Sequence, residues 1–333
     1  MTQDSGTKLT ASGAVAGTGT QGESINTSGS RWAEARSLID GWKSGINIAH
    51  EALDRHVSEG HGAQVALRWL GKDGAKGDVP YREMTDLASR FANVLAEHGL
   101  EKGDSVFALT GRVPELYATA LGTLKAGLVF TPLFSAFGPE PIRTRMEIGE
   151  ANVLVTTAGL YRRKIARWRS EIPSLKLFLI LGDEAPDDCV ALGPAMAAAS
   201  PAFETVATSP EDPALIHFTS GTTGRPKGAV HVHGAVVYHA WSGRHALGLT
   251  PGVRYWCTAD PGWVTGTSYG IISPLVNRGT MLVDEAEFEL DRWYGTIEHE
   301  RVQVWYTAPT AIRMMMRAGD AAAAGYDFSS LTF

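Results

Sequence analysis

Cysteine is scarce: 333 residues hold only Cys189 and Cys257, far apart and without CxxC spacing. That excludes a disulfide framework and a thiolate metal site, and it fits a reducing compartment. Positive charge is not in excess either, with 30 Lys and Arg against 36 Asp and Glu and a net charge of −6. General affinity for phosphate backbones needs a clustered basic surface, so no nucleic-acid partner is expected. Long apolar runs are missing. Lys125 interrupts the longest one, around residues 118–134, and no basic segment leads into an apolar one at the N-terminus. Neither a membrane span nor a secretory leader is expected, and the predicted location is cytoplasmic. No repeat of fixed period and no long Pro-rich or charged linker divides the chain after residue 31.

What remains is material for a globular fold. Hydrophobic residues make up 44%, enough for a sizeable core, and the length fits two domains or one large one. Residues 1–30 are different: seventeen are Gly, Ser or Thr, and only Asp4, Lys8 and Glu23 are charged. So little apolar material cannot offset the entropy of ordering a backbone, and residues 1–31 are predicted to be a disordered tail.

Beyond the tail, residues 81–98 place Met84, Leu87, Ala88, Phe91, Leu95 and His98 on one helical stripe. Apolar strands at 106–109 and 128–134 then flank a helix opened by Pro114. The same alternation recurs as strand 153–157, helix 162–172 and strand 177–181, and again as strand 281–284, helix 290–300 and strand 302–307. Buried strands alternating with helices predict an α/β fold of mostly parallel sheets covered on both faces, with its site on loops leaving the strands. A last helix carries Ile312, Met315 and Met316 on one stripe, and residues 329–333 read as the start of a strand. The chain is expected to stop within a domain.

One segment stands out chemically. The apolar strand Ala214-Leu-Ile-His-Phe runs into Thr-Ser-Gly-Thr-Thr-Gly-Arg-Pro-Lys-Gly228. Gly221, Gly224 and Gly228 let backbone N–H groups converge on an anion. Thr219, Ser220, Thr222 and Thr223 add hydroxyl donors, Lys227 supplies charge, and Pro226 stiffens the loop before it. A passive solvent-exposed turn would be an unusual use of that composition after a buried strand. The NTPase P-loop needs Gly-Lys-Ser/Thr five residues after its first Gly, where this chain has Pro226, and GxGxxG is absent from the loop. A phosphate cradle of another class is implied.

That loop resembles the signature of the adenylate-forming superfamily, which includes acyl-CoA synthetases, luciferases and nonribosomal adenylation domains. A second block, Tyr255-Trp-Cys-Thr-Ala-Asp-Pro-Gly-Trp-Val-Thr-Gly-Thr-Ser-Tyr269, is similar to the acetyl-CoA synthetase branch, as are Trp305-Tyr-Thr-Ala-Pro-Thr-Ala-Ile-Arg313 and Ala318-Gly-Asp320. The resemblance runs from about residue 32 to the end and implies the N-terminal part of a large adenylate-forming domain, with residues 32–333 incomplete. It implies ATP with Mg2+ and coenzyme A as co-substrates, acetate as the acid, and two half-reactions: acetyl-adenylate with loss of pyrophosphate, then the thioester with loss of AMP. On this reading Thr219, Ser220, Gly221, Thr222, Thr223, Gly224, Pro226, Lys227 and Gly228 contact ATP, with Lys227 and Thr219 acting in catalysis. Trp263, Val264 and Thr265 line the acyl pocket, although for any one of Trp256, Trp263 and Tyr269 taken alone a core aromatic is the more usual role. One methylene is worth roughly 1–3 kcal/mol in such a pocket, so propionate is a possible second substrate.

Arg162, Arg163, Lys164, Arg167 and Arg169 crowd five cations together, with Ile165, Trp168 and Ile172 on the face that would pack inward. A solvated helix face explains such a run. The resemblance instead implies that Arg162 and Arg163 hold the 3′-phosphate of coenzyme A, and both readings stay open here. The ten histidines, His231 and His233 included, suggest no resident metal, because no third ligand stands at motif spacing. Asp260 is read as a pocket carboxylate or as a turn residue before Pro261-Gly262. By the same resemblance a Thr-Glu segment for ATP and magnesium, a ribose-binding aspartate, a hinge and a small C-terminal domain with its adenylation lysine belong beyond Phe333. The chain alone is therefore expected to be inactive; a noncatalytic nucleotide-binding remnant is the alternative.

Overall fold

A computed structural model of the chain describes residues 30–41, 45–219 and 225–333. The expected disordered tail lies almost wholly outside them. Twelve strands among the described residues form two sheets: β1 (Val65–Leu70), β2 (Lys76–Pro80), β3 (Ser105–Leu109), β4 (Val129–Pro132), β5 (Ala151–Thr157), β6 (Leu177–Leu181), β7 (Val190–Ala191), β8 (Pro213–Thr219), β9 (Lys227–Val232), β10 (Arg254–Cys257), β11 (Thr280–Asp284) and β12 (Val304–Tyr306). Seven strands form one sheet in the order β7-β6-β5-β3-β4-β8-β9, and five form the other in the order β12-β10-β11-β1-β2. Every pairing is parallel except the two hairpins, β1 with β2 and β8 with β9. The predicted α/β architecture is the observed one.

Strand composition explains why both sheets are sandwiched. In β3 successive residues leave in opposite directions. Phe107 and Leu109 pack on one side with Ile142, Met146, Tyr161 and Trp168. Ala108 joins the core between the sheets, with Leu67, Met281 and Val283 of the five-stranded sheet and Phe130 and Leu215 of the seven-stranded one. Parallel strands covered on both faces need such continuous apolar stretches. The outer face of the smaller sheet is closed by Trp256, Leu282, Trp293, Ile297 and Met315.

Lys125, which breaks the longest apolar run, is buried; its Nζ lies 2.5 Å from Asp54 Oδ1, and Asp54 Oδ2 accepts from Thr205 at 2.6 Å. A charge taken out of water is tolerable only when paired and hydrogen-bonded in this way. The helix Tyr81–Glu97 buries Met84, Ala88, Phe91 and Leu95 as its pattern predicted, but His98 is exposed past the helix end. The helix expected at 162–172 lies earlier, at Ala158–Lys164, because Thr157 caps it directly at the end of β5 by accepting from Leu160 N at 3.2 Å. It stops where the Trp168 indole donates to Lys164 O at 2.6 Å, and Ile165, Trp168 and Ile172 still face the core. In the helix Pro309–Ala318 only Met315 is buried, while Ile312 and Met316 are exposed. Residues 332 and 333 hydrogen-bond to β12 and the residue before it: Thr332 N donates to Gln303 O at 2.8 Å and Trp305 N to Phe333 O at 3.0 Å.

Helix Pro114–Lys125 crosses helix Tyr81–Glu97 at Gly122, where a Cβ would stand 2.5 Å from Ala88 O and 2.9 Å from Phe91 Cβ. Alanine favours helix by about 1 kcal/mol over glycine, whereas overpacking of this kind costs about 1–3 kcal/mol. Gly122→Ala is expected to lower the melting temperature by several degrees in differential scanning fluorimetry; an unchanged or raised value would show that the two helices can separate freely.

Candidate active site

The carboxyl ends of parallel strands point their loops to one side, and a crevice there is the usual place for a ligand. A cavity of about 540 Å³ occupies that position. Its walls come from both sheets: Lys72 after β1, Gly111 and Arg112 after β3, Ser135 after β4, Thr157 at the end of β5, Gly182 after β6, Asp260 after β10, and Glu285 and Glu287 after β11. Arg163 also lines it. Arg112 is fixed from below, its Nε donating to Asp284 O at 2.7 Å and its Nη2 to Ala286 O at 2.6 Å. Asp284 in turn is gripped by Arg292, with Nη2 to Oδ1 at 2.7 Å. Neither Arg112 nor the acidic wall was singled out from the sequence; their position just past strand ends was the available signal.

The glycine-rich loop joins β8 to β9. Thr219 and Lys227 face each other as the last register pair of that hairpin, and both are exposed. Gly228 follows as the next pair, against Phe218. Ser220, Gly221, Thr222, Thr223 and Gly224 lie outside the described residues. Pro226 and Arg225 line a second cavity of about 690 Å³ with Phe137, Thr144 and Arg145.

The segment after β4 stands between these features. Phe137 lines the second cavity and Ser135 the first. Between them, Phe134 meets Trp263 with ring centroids 5.8 Å apart. Gly262 backs onto the same segment so closely that a Cβ would lie 2.5 Å from Phe134 N. Lys164 pins it from the other side, its Nζ donating to Ser135 O and Phe137 O, each at 2.7 Å. One short loop therefore touches the surroundings of all three predicted groups: the phosphate loop, the acyl block and the basic helix.

Within the acyl block, Trp263 and Val264 are exposed and Thr265 is half-buried, so Trp263 is not a core aromatic. Trp256 is one. Asp260 combines its two readings: its Oδ1 accepts from Gly262 N at 2.8 Å, holding the turn, and it lines the first cavity, where burial pushes its carboxyl above the usual range. Of the five clustered cations, Lys164 and Arg169 are engaged structurally. Arg169 Nη1 donates to the Tyr161 hydroxyl at 2.6 Å, pairs with Asp188, and lies over the Phe178 ring. Arg162, Arg163 and Arg167 are exposed.

Buried polar side chains lie deeper along β8 from Thr219. His217 sits two residues before Thr219 on the same face of β8, is 1% exposed, and has no hydrogen-bond partner on either ring nitrogen. Its ring meets that of His231 edge-on at 5.2 Å. His239, on helix Ala235–Ala246, also has an unpartnered Nδ1 and meets Tyr269 at 6.1 Å; the Tyr269 hydroxyl is 2.9 Å from Ser242 Oγ. Burial pulls His217 down to about 3 and His239 to about 4, so both rings are neutral. No group of three or more His, Cys, Asp or Glu among the described residues could hold a metal ion.

A family model described as "AMP-binding enzyme" matches residues 53–333. The acetyl-coenzyme A synthetase of Bacillus subtilis is 42% identical over 306 residues, covering 90% of this chain and 52% of that protein. That of Syntrophobacter fumaroxidans is 34% identical over 295 residues, covering 83% and 45%. The crystal structure of a Brucella canis acyl-CoA synthetase superposes with a TM-score of 0.81 at 33% identity, over 88% of this chain and 53% of that one. The chain spans about half the length of the curated relatives it matches. No helix among the described residues is long and apolar enough to cross a membrane.

The histidines make stability depend on pH. His56, His217, His233 and His239 are all held well below the usual 6.5 by burial, at about 4, 3, 4 and 4. Neutral in the fold, they take up protons only when the chain unfolds, so their contribution is complete above pH 6.5 and is lost as the pH falls toward 4. Each costs up to roughly 1.4 kcal/mol per pH unit in that window. The melting temperature is expected to fall steeply between pH 6.5 and 4.5, and less steeply in His239→Gln; a flat profile would contradict the buried neutral rings.

Proposed function

The chain belongs to the AMP-binding enzyme family, and from that premise we propose that it is the N-terminal part of an acetate–CoA ligase. The observation that carries this reading is that Arg225 and Pro226 just before β9, the 260–265 block and the 158–164 helix all stand around the segment after β4. In the first half-reaction a carboxylate oxygen of acetate attacks the α-phosphorus of ATP, the bond to the bridging oxygen breaks, and pyrophosphate leaves. Lys227, Thr219 and the loop from Ser220 to Gly224 would hold the departing pyrophosphate as its charge grows, with Pro226 and Gly228 setting the loop's shape. In the second, the coenzyme A thiolate attacks the acyl carbon, AMP leaves with the bonding pair, and the thiol proton passes to solvent.

The first cavity is assigned to the acyl-adenylate and the arm of coenzyme A, with Arg163 at its rim and Arg162 beside it for the 3′-phosphate. Trp263, Val264 and Thr265 do not line that cavity; they follow Asp260, which does, and are assigned to the acyl group on the resemblance. Magnesium supplies charge neutralisation on the phosphates when bound. The acids beside Arg225, Glu140 and Glu147, are both engaged by Arg143, so no residue of this chain is assigned to the metal.

The test is acetate-dependent exchange of pyrophosphate into ATP. The 333-residue chain is expected to show none at the rate of a ligase of the relatives' full length, and the sequence extended to that length is expected to show it. In the extended protein Lys227→Ala should lower exchange by about 10²-fold. Arg163→Ala should leave exchange unchanged and raise the KM for coenzyme A. Exchange by the 333-residue chain alone at the full rate would refute the division of labour. Nucleotide binding without any exchange by the extended protein would favour a noncatalytic remnant, and a lower KM for propionate would reassign the acid.

A further inference from the structure

At the amino-terminal ends of β10 and β11, opposite the candidate active site, lies a cavity of about 260 Å³. Asn277 and Arg278, which lead into β11, line it, whereas Asp260 and Glu285 of the first cavity follow β10 and β11. A strand rises about 3.3 Å per residue, so the length of β11 holds the two cavities roughly 15 Å apart. The remaining polar wall comes from Arg55 and His56 of helix Arg55–Ser58, from Glu59, and from Arg244 in the last turn of helix Ala235–Ala246.

Three arginines thus share a concave wall in a chain whose net charge is −6. Arg55 is already matched and fixed: Nη1 donates to Leu38 O at 2.6 Å, Nη2 to Val276 O at 2.9 Å, and Glu51 Oε2 lies 3.4 Å from Nη1. Arg244 and Arg278 pair with no carboxylate among the described residues. Glu59, the acid of the wall, lies 3.9 Å from His56 Nδ1 instead. The backbone of Arg278 is itself unusual, with φ 57, a region that residues other than glycine rarely adopt. Gly252 N and Gln64 Nε2 each donate to its carbonyl at 2.8 Å and hold it there. Glycine would make that turn without strain, so arginine at this position keeps a cation at the cavity at the expense of an easy backbone. Like charges gathered in a concavity concentrate the field and attract a counter-ion.

We propose that this cavity is a second anion site, separate from the nucleotide site, where Arg244 and Arg278 bind a phosphate-type oxyanion, free or carried on a small molecule. Two unpaired guanidinium groups exceed what one monocarboxylate balances, and their planar forks match the oxygens of a phosphate dianion. Arg55, held by its two carbonyls, adds charge behind them. The bound anion joins helix Arg55–Ser58, helix Ala235–Ala246 and the turn into β11, parts of the chain far apart in sequence. Its binding therefore stabilises the fold as well as filling the site. The inference is independent of the ligase reading.

Titration calorimetry of the 333-residue chain with inorganic phosphate, near neutral pH and at constant ionic strength, tests this. Arg278→Asn removes the charge but keeps a residue that tolerates positive φ, and Arg244→Gln removes the second charge. Each is expected to weaken phosphate binding about tenfold, and phosphate is expected to raise the melting temperature of the wild-type chain but not of the two variants. Circular dichroism identifies folded variants, and either one that folds suffices. Competition separates the two sources of the oxyanion: AMP that displaces phosphate from the arginine-dependent site indicates a carried phosphoryl group, and phosphate retained against excess AMP indicates the free ion. Undiminished affinity in a folded arginine variant overturns the site, as does absence of phosphate binding by the wild-type chain. Loss of phosphate binding in Lys227→Ala with both arginine variants unaffected would place the anion at the glycine-rich hairpin and overturn it too.

Discussion

Everything at the candidate site depends on strand direction. Seven strands in two sheets, β1, β3, β4, β5, β6, β10 and β11, send their carboxyl ends to the same cavity, so residues from nearly every part of the chain meet there. Parallel pairing demands crossover helices, and those helices supply the apolar faces that bury both sides of each sheet. The two hairpins are the exceptions, and each has a use. β2 closes one edge, while β9 turns the chain back after the glycine-rich segment, so that Thr219 and Lys227 stand side by side although eight residues apart.

Convergence alone would leave mobile loops around a hole. Lys164 prevents this by donating to two carbonyls of the segment after β4, at Ser135 and Phe137. Burial lowers its ammonium pKa, and the two carbonyls offset the lost hydration. The same segment packs on Trp263 and Gly262, so the basic helix, the 260–265 turn and the cavity walls are mechanically one unit. Deeper down, Arg292 fixes Asp284, and the carbonyls of Asp284 and Ala286 fix Arg112. In the proposed ligase, a change far from the reacting atoms would act by loosening these supports rather than by removing a contact.

Sequence patterns revealed strands and helices where burial was periodic and local. β6 falls at 177–181 as its apolar run predicts, and helix Pro114–Lys125 opens at its proline. They failed where a tertiary contact decided. The helix at Ala158–Lys164 is set by the Thr157 cap and ended by the Trp168 indole, neither of which periodicity registers. Ile312 and Met316 have helical spacing yet lie exposed, because periodicity identifies an apolar face without saying what covers it. At the site, loop composition identified the hairpin carrying Thr219 and Lys227. It could not identify Arg112, Ser135 or Lys164, whose roles come from where parallel strands end.

The buried histidines were the least legible residues, because they have no motif and their surroundings are apolar in sequence. His217 occupies a strand position where Leu or Val would pack without leaving polar atoms unpaired. Stability alone selects against it, since it brings desolvation at neutral pH and loss of stability in acid.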